Sequence, residues 1–248
     1  MENFIIPWGE ISPNRKEISI SLNQNNRIKI LRDGEILSID ISIENKNSES
    51  KRYIVGKEQP VYLEPALPEL PIVVKPIDEL SIIPGNKLEV HLEIPLMIAV
   101  TFGSPGKRTT LWEHPFTPLS QSFFGNPDSG ELCYSVVSSL SKKSLDSESK
   151  HKMALCPLTI INKSNQILNF ERMILRGPFL TLYFGADHIF TSPVTISFKG
   201  AEQTSQVIIK KKPQEEIPPM RIASDPRKKE EKSVLKKSFF FLKTLYNG

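Results

Sequence analysis

Residues 17–43 read EISISLNQNNRIKILRDGEILSIDISI, and their apolar pattern indicates a β fold. Isoleucine or leucine recurs at every second position along most of it, which is the period of a β-strand with one buried face. An Asn-rich break and then Asp33-Gly34 divide the run, and Asp-Gly tolerates the positive φ angles of a type I′ hairpin turn. Because another apolar run follows at residues 53–55, we predict an antiparallel meander over residues 17–56.

Prolines concentrate after the meander, with six between residues 60 and 84. Proline lacks a backbone N–H and fixes φ, so this region favours edge strands and extended connections. The run from Leu88 to Phe102 first alternates between apolar and polar residues and then becomes continuously apolar. It is predicted to form one long strand that enters the core.

The second half of the chain contains further short runs that are rich in β-branched and aromatic residues, separated by turn signals. With about a dozen strand candidates and no sustained helical period before residue 230, the pattern argues against alternating strands and helices. We predict a mainly β protein, an antiparallel β-sandwich of jelly-roll or Ig-like type over residues 1–209. It forms either one domain or two subdomains split near residues 60–84. The later strand candidates lie at residues 132–140, 156–161, 167–175, 179–184, 189–198 and 206–209.

The composition is that of an ordinary globular chain. Among 248 residues, 39% are hydrophobic and 24% are charged, which excludes collagen, a long coiled coil and wholesale disorder. No apolar window is long enough for a membrane span, and the first residues lack the pattern of a signal peptide. Two cysteines are too few for a disulfide framework. The expected location is the cytoplasm, either free or attached to the inner face of the membrane.

Basic charge is concentrated at the C-terminus. Residues 210–248 contain eleven Lys or Arg and five Asp or Glu, a net charge of +6, whereas the rest of the chain carries −2. Composition predicts a flexible charged linker over residues 210–232 and a short amphipathic, basic and aromatic helix over residues 233–248.

This C-terminal segment has two interpretations. It either docks back on the body or binds an anionic membrane surface or a membrane-protein partner. Nucleic acid is a weaker candidate, because no recognised RNA-binding pattern occurs in the strands. The residues expected to make the membrane or partner contact are Lys236, Lys237, Phe239, Phe240, Leu242 and Lys243.

The sequence contains no motif that predicts catalysis, a cofactor or a metal site. The loop at residues 103–108, GSPGKR, has too few residues between its glycines for a phosphate-binding loop. Cys133 and Cys156 lack the paired spacing of zinc ligands and are explained as small buried residues. The four histidines are scattered singly.

One row of polar side chains invites a catalytic interpretation. Glu89, His91 and Glu93 alternate along the long strand and share a face, so they can do acid–base work or bind a cation. The alternation itself demands a solvated face there, and this second interpretation is the favoured one.

Aromatic residues in and after a proline-rich loop region suggest a second class of function. Trp112, His114 and Phe124 are candidates to line a ligand groove. The competing interpretation is that such aromatics close one end of a sandwich core. The groove, if formed, makes the protein a small-ligand-binding or hydrolytic sandwich.

The segment FFGNPDSGEL at residues 123–132 resembles a signature of the family called domain of unknown function 432 (DUF432). In that family an aromatic-Gly-x-Pro-x-x-Gly element precedes a strand. Ile83-Pro84-Gly85 before the long strand and the block at residues 158–184 are also similar to it, so the resemblance spans about residues 60 to 200. One departure is Cys133-Tyr134, where a basic residue is expected near the aromatic.

The resemblance implies a microbial, mostly β protein with no activity to carry over. It also implies an association with genes for membrane channels of the small-conductance mechanosensitive type, without assigning a role to any residue. The sequence therefore favours a non-enzymatic interaction or regulatory module, attached to a membrane or a membrane-channel partner through its basic C-terminal segment.

Overall fold

A computed structural model describes residues 6–44, 48–77, 79–104, 106–125, 128, 130–138, 151–170, 172–200, 205–210 and 220–228. These residues form strands and one short 3₁₀ turn at Gly177–Phe179, which confirms the mainly β prediction. In chain order the strands are β1 (Gly9–Glu10), β2 (Asn14–Ser21), β3 (Arg27–Asp33), β4 (Ile36–Ser42), β5 (Glu49–Ile54), β6 (Val61–Ala66), β7 (Ile72–Pro76), β8 (Leu80–Ile82), β9 (Lys87–Pro95), β10 (Met97–Phe102), β11 (Thr109–Pro115), β12 (Ser120–Phe124), β13 (Glu131–Ser138), β14 (Met153–Asn162), β15 (Leu168–Phe170), β16 (Met173–Leu175), β17 (Leu182–Phe184), β18 (Ile189–Thr191), β19 (Val194–Phe198), β20 (Gln206–Ile209) and β21 (Arg221–Ser224).

The chain divides into two compact units, and neither is continuous in sequence. Unit one comprises Met1–Ala66 and Met97–Thr117. Unit two comprises Leu67–Leu96 and Pro118–Gly248. The chain first passes from one unit to the other within the proline-containing region.

Unit one contains the predicted meander. Strands β2, β3, β4 and β5 pair in that order, each antiparallel to the next, which confirms the prediction for residues 17–56. Ile18, Ile30 and Ile39 lie opposite one another on neighbouring strands, and all three are buried. The two-residue period therefore places one isoleucine face against the core, while the polar positions between them face outward.

The β3–β4 turn is placed one residue later than the sequence suggests. Asp33 pairs with Ile36, so the two loop residues are Gly34 and Glu35. Gly34 adopts a φ of 58°, a conformation that costs glycine nothing and other residues much. Glycine thus does occupy the left-handed position, but Asp33 ends the strand instead of entering the turn.

The second sheet of unit one has the order β1-β6-β10-β11 and is also antiparallel. Leu63, Val100 and Trp112 lie opposite one another and share its apolar face. Tyr62 and Thr101 lie opposite each other on the other face, where polar groups are also buried. This sheet consequently has one apolar and one mixed face.

Unit two contains a seven-stranded sheet, a four-stranded sheet and the pair β8–β15. Parallel pairing occurs between β7 and β13, and between β14 and both β18 and β19. The expectation of antiparallel pairing alone is thus wrong for unit two. The physical reason is that these partners come from distant parts of the chain, so no hairpin fixes their direction.

The predicted long strand is also corrected. Residues 88–102 form two strands, β9 and β10, which end and begin on either side of Leu96 and belong to different units. Strand β9 pairs antiparallel with β14 along nearly its whole length. Proline at position 95 offers no N–H to continue a ladder, which suits the end of a strand.

Part of the predicted flexible linker is ordered. Arg221–Ser224 forms β21 and pairs antiparallel with β17 at one edge of the seven-stranded sheet, which corrects the prediction for those residues. The predicted helix over residues 233–248 lies outside the described residues. Within the described part of the chain, no helix is long and apolar enough to cross a membrane.

Candidate functional site

Trp112 and His114, two of the predicted groove residues, lie on β11 in unit one. Their rings are stacked, with centroids 5.9 Å apart and planes inclined by 21°. The His114 Nδ1 is 2.7 Å from the carbonyl oxygen of Pro115, to which it donates when protonated. Trp112 is buried on the apolar face of its sheet. This indole packs in the core and holds the imidazole against it.

Phe124, the third predicted groove residue, ends β12 in unit two. It is buried in a cluster with Val73, Cys133 and Ile174. The Arg172 guanidinium lies 5.8 Å from the centroid of its ring. The three aromatic candidates therefore belong to different units, and the ligand groove stays a prediction.

Neither cysteine is prepared for nucleophilic chemistry. Both thiols are free and buried. Burial raises the pKa of Cys156 to about 12, a shift that a hydrogen bond with Thr191 only partly opposes. Burial, and then the negative charge of Glu131, raises the pKa of Cys133. Since the thiolate is the reactive form, both groups are poor nucleophiles at neutral pH.

The Glu89, His91 and Glu93 row follows the more exposed face of β9, while Val90 and Leu92 between them are buried. Lys87 Nζ donates to Glu89 Oε1 at 2.7 Å. Partial burial lowers the pKa of His91. Among the described residues, no group of three His, Cys, Asp or Glu side chains is placed to hold a metal ion.

A buried carboxylate that the sequence analysis missed lies on the mixed face of unit one. Thr101 Oγ1 donates to Glu64 Oε2 at 2.7 Å, and Arg108 forms an ion pair with Glu64 Oε1. The Arg108 guanidinium also lies 3.8 Å from the centroid of the Tyr62 ring. Both carboxylate oxygens are engaged, so this cluster fastens the β10–β11 loop to β6 and does not present a free base. The polar Tyr62 and Glu64, two positions apart in an apolar strand, are the signal that could have found it.

Arg32 is the largest fully buried side chain of the described residues and was also missed. It donates to backbone carbonyl oxygens of Ile11, Gly34, Gly56, Lys57 and Gln59, at 3.1, 3.4, 3.2, 3.2 and 2.8 Å. The fork of five N–H donors lets one guanidinium satisfy three separate connections. Arg32 thereby ties together the β1–β2, β3–β4 and β5–β6 connections of unit one.

The last described residues, 220–228, are held on unit two by side-chain and backbone contacts. Arg227 Nε donates to the carbonyl oxygen of Leu67 at 2.5 Å, and the Lys228 N–H donates to that of Pro178 at 3.0 Å. Arg221, on β21, lies 4.7 Å from the centroid of the Phe184 ring. These contacts hold the chain on unit two as far as Lys228.

The sequence model of the family described as protein of unknown function (DUF432) matches residues 7–243. The chain belongs to the DUF432 family. No curated protein and no solved structure matches the chain.

The family match extends the resemblance first seen in the middle of the chain. It begins before β1 and continues through Lys243, so it includes both units. It also includes all six C-terminal residues that were singled out for membrane or partner contact. In this DUF432 protein the basic segment is therefore part of the family's sequence region and not an appendage to it.

Proposed function

We propose that this DUF432 protein is a non-catalytic interaction module that attaches to an anionic membrane surface through residues 233–248. The observation that carries the proposal is the division of charge. Residues 210–248 hold a net charge of +6, while the remainder carries −2. An anionic partner is therefore attracted most strongly to residues 210–248.

The composition of the segment suits a lipid surface. Phe239, Phe240 and Leu242 supply apolar groups for the interface, and Lys236, Lys237 and Lys243 flank them. A lysine near an anionic leaflet contributes about 1 kcal/mol, and apolar side chains add burial at the acyl boundary. Such a contact is reversible, as a regulatory attachment requires.

The contacts before the segment support the same proposal. Because Arg227 and Lys228 are held on unit two, a membrane contact made just beyond them brings the folded body to the surface. Neither buried thiol nor Glu64 offers a free nucleophile or base, because burial raises the pKa of both cysteines and Arg108 pairs with Glu64. We further propose that the protein is located at the inner face of the membrane. We also propose that the sheets of the body pack as a sandwich.

The test is co-sedimentation of the full-length protein with phosphatidylglycerol/phosphatidylcholine vesicles, compared with phosphatidylcholine alone. A variant with Lys236, Lys237 and Lys243 changed to Gln is expected to bind anionic vesicles about a hundredfold more weakly, at about fivefold for each lysine. The matched control changes Lys16, Lys51 and Lys57 to Gln, which removes the same charge from exposed positions of unit one.

Binding should also weaken as salt is added, because surface electrostatics are screened. Equal losses in the two triple variants, or no binding to anionic vesicles at any ionic strength, would overturn the membrane proposal. The second result directs the search to a protein partner.

A further inference from the structure

One end of unit two presents isoleucines and lysines together. Strands β8 and β15 pair up to Ile82 and Leu168, and the next residues outward are Ile83 and Ile167. Their side chains are 57% and 59% exposed. Two exposed β-branched residues that continue neighbouring strands are an unfavourable arrangement in water and a favourable one at a lipid interface.

Two lysines extend from the adjacent sheet at the same end. The last parallel pair of β14 and β19 is Asn162 with Phe198, and the Lys163 N–H donates to the Phe198 carbonyl oxygen at 2.7 Å. Lys163 and Lys199 therefore continue two neighbouring strands side by side. Within the described part of the chain neither forms an ion pair, and like charges placed side by side repel.

Asn162 joins the isoleucine loops to the lysine loops. Its buried Nδ2 donates to the carbonyl oxygens of Ile82 and Gln166, at 2.8 and 2.7 Å. Its own carbonyl oxygen accepts from the Gly85 N–H, and its N–H donates to the Asn86 carbonyl oxygen, both at 2.9 Å. Asn162 thus holds loops 83–87 and 163–167 together. We call these two loops and Lys199 the loop tip.

We propose that the loop tip is a second membrane contact, in which Ile83 and Ile167 enter the interface and Lys163 and Lys199 meet anionic lipid headgroups. The occupant is an anionic lipid surface, because the two lysines have no acidic partner among the described residues and the loops joined to them expose Ile83 and Ile167. This inference rests on the proposed function and deepens it, since the loop tip belongs to the unit that holds Arg227 and Lys228, which precede the basic segment in the chain.

The test places an environment-sensitive NBD label at the loop tip of the full-length protein through Ile167→Cys. Cys133 and Cys156 are buried, so the introduced thiol reacts preferentially. The matched control is Ile222→Cys, which starts from the same 59% exposure but lies on β21. We expect a blue shift and an increase in NBD emission at position 167 on phosphatidylglycerol/phosphatidylcholine vesicles, and no change at position 222.

A charge variant completes the test. Lys163→Gln with Lys199→Gln is expected to weaken binding to these vesicles by about twentyfold, at about fivefold for each lysine. Lys51→Gln with Lys57→Gln, in unit one, is the control and should leave binding unchanged. Far-UV circular dichroism must match that of the parent protein for every variant.

The outcomes separate this inference from the proposed function. Unchanged NBD emission at position 167, while the protein co-sediments and the basic segment is required, overturns the loop tip and leaves the proposed function standing. Absence of co-sedimentation overturns both. An equal NBD response on phosphatidylcholine alone contradicts the role of the two lysines.

Discussion

The two units organise their strands in different ways. In unit one, β2 to β5 each pair with the next strand along the chain, so the meander closes through local turns. In unit two, Leu158 of β14 lies opposite Val90 on one side and Val194 on the other. Local pairing needs little loop closure, whereas the centre of unit two assembles only when three distant segments meet.

The units also differ in the side chain that donates hydrogen bonds to the carbonyl oxygens of their buried connections. In unit one this is the long side chain of Arg32, whose guanidinium reaches carbonyl oxygens in three connections. Unit two uses the short amide of Asn162, which joins two loops that already lie close together. In each unit the reach of the polar side chain therefore matches the separation of the loops that it joins.

Arg32→Met removes the guanidinium of unit one while keeping most of the side-chain volume. We expect a loss of about 3–5 kcal/mol in the free energy of unfolding, because several buried carbonyl oxygens lose their donor. Urea denaturation followed by circular dichroism measures it. Arg27→Met, at an exposed position of the same strand, is the control and should change stability by about 0.5 kcal/mol or less. A small effect at Arg32 would show that its bonds are not what closes unit one.

Asn162→Ala makes the corresponding change in unit two. It removes both Nδ2 donations and the Oδ1 that accepts from the Ser164 N–H at 3.0 Å, so we expect a loss of about 2–3 kcal/mol. Asn165→Ala, in the same loop and exposed, is the matched control. If the two variants unfold at the same urea concentration, Asn162 does not organise the loop tip.

Cys156 offers an effect that is smaller for each pH unit and that is specific to unit two. Burial raises the pKa of its thiol from an ordinary value of 9.0 to about 12 in the fold. Below pH 9 both the folded and the unfolded state keep the proton, but between about pH 9 and 12 only the unfolded state releases it, so stability falls as pH rises. The slope amounts to about 1.4 kcal/mol for each pH unit.

The measurement is the difference in unfolding free energy between the parent and Cys156→Ala as a function of pH. Other groups titrate in this range, but they do so in both proteins. The parent should lose stability faster than the variant above pH 9. Parallel pH profiles would mean that the thiol is not held in its neutral form.

Strand positions and buried faces could be predicted from the sequence where the two-residue period is regular. The isoleucines of β2, β3 and β4 show this, because the alternation sets which face is buried. Pairing partners could not be predicted in unit two, because alternation does not say which strand lies beside β14. The break at Leu96 was missed for a related reason: an apolar run continues through it although the two halves enter different units.

The candidate sites divide in the same way. The basic C-terminal segment is visible in sequence because its charges and aromatics are contiguous. The loop tip is not visible, because Ile83, Lys163 and Lys199 come from three separate loops that only strand pairing and Asn162 bring to one end. The Glu64–Arg108 ion pair was missed for the same reason, since its residues come from β6 and from the β10–β11 loop.

Hydrogen exchange of the full-length protein, with and without phosphatidylglycerol/phosphatidylcholine vesicles, tests membrane attachment most directly. We expect slower exchange on vesicles in residues 233–248 and in loops 83–87 and 163–167, with the exchange of the meander of β2 to β5 unchanged. Vesicle-dependent protection confined to the meander, or none anywhere in a sample that co-sediments, would contradict it.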